Sequence, residues 1–229
     1  MHFIRATIAV VSLFASFLSL AVTYDSHFNI MYPEKNNTLI HIFNESKKHA
    51  HVVSVEVWEI NNPMERVPVV SGNNKDILFT PATQLLNPGK DATFKFIYAG
   101  KADDKERYYA VRWRDVSLKR SGHVESSDEH RAVSEATINT SVVTTLIVNP
   151  RKNLTQIVKL DNKLKNIGNT MVDMFVNAKC KADPQKDCST YLPFLPGQEM
   201  ELDSMVIDRS FSAGYWLDGR EAKMLDISG

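Results

Sequence analysis

The sequence predicts an all-β protein made of two sandwich domains, and three observations carry that expectation. From Phe28 onward the chain is a series of short runs rich in Val, Ile, Thr and aromatics, cut by Asn, Gly, Pro and Asp. Runs of that composition fit a pleated, half-buried surface, and the breakers between them supply turns. No long 3.6-residue periodicity appears, so amphipathic helices are excluded as the main element. Finally, Asn149-Pro150-Arg151 interrupts the series, because proline cannot donate to a sheet ladder.

Ahead of that break the expected strands are Phe28–Tyr32, Thr38–Asn44, Val52–Ile60, Ile77–Thr80, Gln84–Leu86, Asp91–Tyr98, Arg107–Asp115 and Ile138–Val148. Their number and spacing are those of an immunoglobulin-like sandwich. Beyond it the pattern resumes more weakly over Leu154–Leu160, Lys163–Asn166, Met171–Ala178, Gln198–Leu202, Ser212–Leu217 and Lys223–Ile227. The organisation read from this is a leader over 1–21, a first domain over 22–149 and a second over 150–229. A unit as small as the second buries little surface, and a cross-link would help it.

Cys180 and Cys188 supply that cross-link. They enclose seven residues of turn-rich sequence, and in an oxidising compartment two such thiols pair. With no third thiol or nearby His they make a poor zinc site, and Cys-x-x-Cys redox spacing is absent. The export expected for such a compartment is written at the start of the chain. One Arg precedes an apolar and small-residue run from Ala6 to Val22 containing Ser19-Leu20-Ala21, which reads as a secretory signal cleaved after Ala21.

Composition narrows the function. Lys+Arg and Asp+Glu are 27 each, so no basic field exists to hold a nucleic-acid backbone, and no nucleic-acid partner is expected. No Gly-x-Ser-x-Gly, His-Glu-x-x-His, P-loop or dinucleotide fingerprint occurs, so no enzyme, cofactor or metal is implied. His49-Ala50-His51 reads as a solvated turn rather than a metal pair. Asp103 to Arg107 reads as the charged start of a strand whose alternating signs satisfy one another. Asn-x-Ser/Thr triplets at Asn36, Asn44, Asn139 and Asn153 would suggest glycans in a eukaryotic secretory pathway.

One segment fits neither domain core. Ser117 to Ser134 is polar, aperiodic and longer than a hairpin loop needs to be. It leads into a strand that places Ala136, Ile138, Thr140 and Val142 on one face. Two readings stay open there. The strand is either ordinary core or an edge offered to another chain, where main-chain bonds give affinity and alternate side chains give register.

Several motifs resemble the periplasmic chaperones of chaperone–usher pili, most closely the alternate, common-pilus type. They are Ile77-Leu78-Phe79-Thr80-Pro81-Ala82, then Phe94, Phe96, Tyr98 and Gly100, the run Lys105-Glu106-Arg107-Tyr108-Tyr109, and Arg112-Trp113 with Asp115. The series continues through Pro150-Arg151, Gly168-Asn169, the cysteine pair and Leu195-Pro196-Gly197. The resemblance implies an L-shaped pair of immunoglobulin-like domains without enzymatic activity. Such proteins bind pilin subunits that lack their last strand, complete the fold by donating one, and pass the subunit to an outer-membrane usher. It implies Ala136, Ile138, Thr140 and Val142 as the donor positions, and self-association through the same strand as a second occupancy. An adhesion or receptor module of two such domains is the alternative.

The resemblance also implies a cationic anchor for the subunit's terminal carboxylate, but the usual Arg and Lys positions carry Asn29 and Thr145. Arg151, Arg112 and Arg114 are the candidate replacements. Glu106, Arg151 and Asp218 are implied as ion pairs linking the two domains.

Overall fold

The computed structural model describes residues 22–64, 72–118, 139–217 and 221–226. These contain no helix and nineteen strands. Two compact units emerge. The first comprises Met1–Asn29, Asn37–Ala99 and Tyr109–Leu146, and the second Ile30–Asn36, Gly100–Tyr108 and Ile147–Gly229. The strands are β1 (Val22–Tyr24), β2 (Phe28–Met31), β3 (Asn37–Asn44), β4 (Ala50–Ile60), β5 (Gly72–Asn73), β6 (Ile77–Thr80), β7 (Thr83–Leu86), β8 (Asp91–Tyr98), β9 (Arg107–Leu118) and β10 (Asn139–Val148). There follow β11 (Ile157–Leu160), β12 (Lys163–Asn166), β13 (Val172–Asn177), β14 (Lys179–Cys180), β15 (Thr190–Phe194), β16 (Glu199–Glu201), β17 (Met205–Val206), β18 (Ser212–Leu217) and β19 (Glu221–Met224).

A four-stranded sheet in the order β1-β3-β8-β6 faces a six-stranded one in the order β2-β10-β9-β4-β5, with β7 also on β4. Alternation decides which side chains fill the space between them. Ile40 and Ile42 of β3, Phe94 and Phe96 of β8, and Tyr109, Val111 and Trp113 of β9 are buried at successive odd or even positions. Trp113 is the hub. Its ring meets those of Tyr24 at 5.3 Å, Phe94 edge-on at 5.2 Å and Phe96 at 6.0 Å, and its indole N–H donates to Thr144 Oγ1 at 2.9 Å.

The second unit holds β11-β12-β16, β15-β13-β18-β19 and the pair β14-β17. Its core is Leu164, Val172, Met174, Val176, Phe194, Leu202, Ala213 and Tyr215. The Cys180–Cys188 disulfide forms, and Lys179 Nζ reaches Asp187 Oδ1 at 2.7 Å across the same loop.

Both units carry the same corner. Fully buried Asn44 gives its side-chain amide to the carbonyls of Leu86 and Asn87 and accepts the Ser46 N–H, while its backbone exchanges bonds with Lys90 and Gly89. Fully buried Asn166 gives its amide to the carbonyl of Phe194 and accepts the Gly168 N–H, while its backbone exchanges bonds with Gln198 and Gly197. In each case a Pro-Gly turn supplies the partner, and Gly89 at φ 65° and Gly197 at φ 79° occupy the left-handed region where other residues are strained. Asn44 is therefore a structural keystone, and its amide is not available to a glycan.

The strand series departs from expectation at Thr190–Phe194, where Pro193 and the following turn mask a strand. It departs again at Val22–Tyr24, a strand at the start of the first domain where the sequence pattern indicates none. His49 and His51 are not one solvated turn: His51 lies in β4, 3% exposed, with Nδ1 2.6 Å from Asp115 Oδ1.

Candidate functional site

Strand β10 changes character halfway along. Asn139, Thr140 and Ser141 are exposed, Val142 is half-buried and Val143 exposed, whereas Thr144 to Val148 are all buried. The reason lies in its neighbours. On one side β10 runs antiparallel to β9, since Trp113 meets Thr144 and, two residues on, Asp115 meets Thr140. On the other, Thr145 N–H donates to His27 O and Asn149 N–H to Met31 O. The two bonds advance four residues on both chains, so β2 runs parallel to β10 and covers only its C-terminal part. Among the described residues no strand pairs with the outer edge of Asn139–Val143.

The side chains of that segment are continuous with a core. Thr140, Val142, Thr144, Leu146 and Val148 share one face of the pleat. Toward the C-terminus that face meets Trp113 inside the sandwich. Toward the N-terminus it meets a buried polar pair, His51–Asp115, whose second carboxylate oxygen accepts the Thr140 hydroxyl at 3.4 Å. The polar pair closes the apolar core at the point where the strand becomes exposed. His51 Nε2 is buried there without a partner. An exposed strand with unsatisfied backbone groups is a template for another chain.

Of the four expected donor positions, Thr140 and Val142 lie on this segment, while Ala136 and Ile138 lie outside the described residues. So does Asp218. Asn29 and Thr145 hold no charge, and each is engaged: the Asn29 amide donates to Ser26 O, and Thr145 is buried with its N–H on His27. Arg112 and Arg114 both face Glu56, at 3.6 and 3.2 Å, and the Arg112 guanidinium lies 4.3 Å over the Trp58 ring. Arg151 is exposed, and among the described residues no carboxylate lies within ion-pair distance of it. Its own N–H donates to Asp103 O.

Glu106 and Arg151 are not an ion pair. Both Glu106 oxygens accept the Met171 N–H at 3.0 Å, and one accepts the Tyr108 hydroxyl. Burial raises the Glu106 carboxyl above its ordinary value, and these two hydrogen bonds oppose the shift. The neighbouring charges behave as the sequence suggests: Arg107 grips Asp103 through two bonds at 2.7 and 2.9 Å, holding the Asp103 carboxyl down at about 2. Glu106 borders a cleft of about 470 Å³ within the second unit, lined also by Asp173, Thr170, Asn153, Trp216 and Lys223. Among the described residues no group of His, Cys, Asp and Glu has the arrangement of a metal site.

Comparison with known proteins places this geometry. The chain has the fold of the pilus-assembly chaperones. It superposes on the class 5 fimbriae chaperone CfaA with a TM-score of 0.54 at 14% identity, covering 91% of this chain and 95% of that one. The YadV chaperone gives 0.55 at 9% identity, covering 89% and 96%. The CupB2 chaperone of Pseudomonas aeruginosa gives 0.53 at 11%, covering 89% and 98%. In sequence the chain is similar to the probable fimbrial chaperone EcpB of Escherichia coli K12 and of Klebsiella pneumoniae. Each is 27% identical over 165 residues, which is 71% of this chain and 72% of the relative. No family model matches the chain. The two-sandwich expectation, the all-β class and the resemblance to fimbrial chaperones are thus met.

Proposed function

We propose that this protein is a chaperone of pilus assembly in the bacterial periplasm, which holds a pilin subunit on the outer half of β10 and delivers it to an outer-membrane usher. The observation that supports this most is the division of β10 into a buried, doubly paired half and an exposed half with one edge that no strand among the described residues pairs. A subunit lacking its last strand offers the complementary defect, an apolar groove with unpaired main chain. Ala136, Ile138, Thr140 and Val142 are the donated face in this reading.

Ile138 and Val142 contribute about 1.5–3 kcal/mol each on burial, before association costs. Ala136 and Thr140 leave the groove underfilled. A better-fitting strand from the next subunit therefore displaces the chaperone, which lets holding and release coexist. Residues 22–149 form the subunit-binding domain in this scheme and 150–229 the second. Of the three candidate cations for the subunit's carboxylate, Arg151 is favoured because Arg112 and Arg114 already share Glu56.

The test is affinity capture from the native periplasm with wild type beside the Ile138→Asp/Val142→Asp variant, the bound proteins being identified by mass spectrometry. A pilin-sized partner retained by wild type and lost by the folded variant supports the reading. Equal capture by both removes the donor-strand assignment, and capture of no subunit by wild type favours the adhesion-module alternative.

A further inference from the structure

The outer face of the β15-β13-β18-β19 sheet carries aromatic side chains that no core requires. Tyr191 of β15 stands directly opposite Phe175 of β13, which stands opposite Gly214 of β18, and Trp216 follows two residues further along. Tyr191 is 62% exposed and Trp216 37%. Exposed rings gathered on one face mark a contact surface rather than ordinary surface scatter.

The rings are held in place. A Cβ on Gly214 would come within 2.5 Å of Phe175 Cζ, so the glycine is what lets the Phe175 ring lie against the sheet. The Phe175 and Trp216 centroids are 6.3 Å apart at 52°. Burial and the neighbouring Asp173 carboxylate raise the Tyr191 phenol above its ordinary value.

Together with Asn177, Ser189 and Thr190 these rings line a shallow recess of about 380 Å³. Its polar groups retain hydrogen-bonding capacity. Asn177 gives one amide N–H to Ser212 and keeps its carbonyl oxygen, and Ser189 Oγ accepts the Ala178 N–H, leaving its own proton to donate. Among the described residues the Tyr191 phenol is the one ionisable side chain lining the recess, with the Asp173 carboxylate beside it.

Size and chemistry select the occupant. A recess of this volume lies in the range of small-ligand sites, which is roughly 300–1,000 Å³. A stable protein interface needs about 800 Å² from each partner, which six residues do not provide. An extended peptide would be expected to add to the sheet at the β15 edge, but Pro193 blunts that edge. What remains is a neutral molecule with a flat C–H face for the rings and hydroxyls for the amide and side-chain oxygens.

We propose that this recess binds a neutral saccharide, stacked on Phe175, Tyr191 and Trp216 and hydrogen-bonded to Asn177, Ser189 and Thr190. The site shares no residue with β10, so it stands whether or not the chaperone reading does.

The experiment is an ¹H–¹⁵N titration of the full mature chain with chitotriose and with maltotriose, following the indole N–H signals of Trp58, Trp113 and Trp216. The expected result is a saturable shift of Trp216 alone, with half-saturation in the millimolar range for at least one sugar. It should weaken by about tenfold or more in Tyr191→Ala, corresponding to about 1.4 kcal/mol. It should persist in Tyr191→Phe, which keeps the ring, and unchanged backbone amide signals of the buried Met174, Val176 and Phe194 report that the second unit of the variants remains folded. Three results overturn the proposal: no saturable shift by roughly 50 mM of either sugar, well past weak binding; a shift that survives Tyr191→Ala; or a larger Trp216 response to the peptide acetyl-Pro-Pro-Gly-amide than to both sugars.

Discussion

Replacing Asn44 by alanine should cost the first unit about 3–5 kcal/mol, from loss of hydrogen bonds rather than packing. The Asn44 amide nitrogen lies 3.0 Å from His49 O, 3.2 Å from Leu86 O and 3.1 Å from Asn87 O, while Oδ1 accepts the Ser46 N–H at 2.9 Å. The Leu86 and Ser46 bonds are buried and the other two partly so. Alanine leaves a buried carbonyl and a buried N–H with no replacement, at about 1–3 kcal/mol each, and weakens two more. The loss is a large share of the roughly 5–15 kcal/mol that holds a domain folded. Urea unfolding followed by near-ultraviolet dichroism, where Trp113 reports on this core, should show a lowered midpoint at unchanged slope. Asn44→Asp should be no better, since a carboxylate keeps the bond from Ser46 but sets a charge against three carbonyls. A loss below about 1 kcal/mol for alanine, or tolerance of aspartate, would refute the claim that this amide locks the corner.

Three further outcomes are expected. Removing the Cys180–Cys188 bond by double serine substitution should destabilise the second unit by about 2–3 kcal/mol, the chain-entropy value for so short a loop, read from urea midpoints with and without the bond. Glu106 has a folded-state carboxyl raised above its unfolded value, so the stability linked to its protonation is full below about pH 4.3 and is lost as pH rises through the raised value. Glu106→Gln keeps acceptance from Met171 and should overtake wild type progressively as pH rises from 4 to 8; a variant less stable by the same amount at every pH would contradict this. Asp103 is the opposite case, with its carboxyl held at about 2 by Arg107, so its contribution is present above about pH 3.9 and fades as pH falls toward 2. Arg107→Gln should raise that titration, as followed by carboxyl ¹³C shifts.

Much of the fold was legible because strand periodicity is a local property. Ile77–Thr80, Asp91–Tyr98, Lys163–Asn166 and Ser212–Leu217 have the boundaries that alternation and flanking breakers indicate. Thr190–Phe194 was not legible, since its proline argues against a strand unless the strand is known to be an edge. The face of β10 could be read from its alternation, but not where it passes from core to open edge. That point is set by β2, which lies more than a hundred residues away in sequence and ends its cover at Thr145. The partner of His51 was equally hidden, because Asp115 is distant in sequence and two histidines flanking an alanine resemble a surface turn. By residue pattern Glu106 is one charge among several, and the resemblance implies for it an ion pair linking the two domains. Its burial and its bonds from Met171 follow from tertiary structure alone.

The repeated asparagine corner has a use beyond rigidity. Each primary amide is buried and hydrogen-bonded to main-chain carbonyls, so its two protons should exchange slowly with solvent and resonate apart from the surface Asn and Gln population. The Asn44 and Asn166 amides are in effect a matched pair of gauges, one wired into each unit at an equivalent place. Exchange rates read from both in a single spectrum would report separately how often each half of the molecule opens, and which half a bound partner quietens.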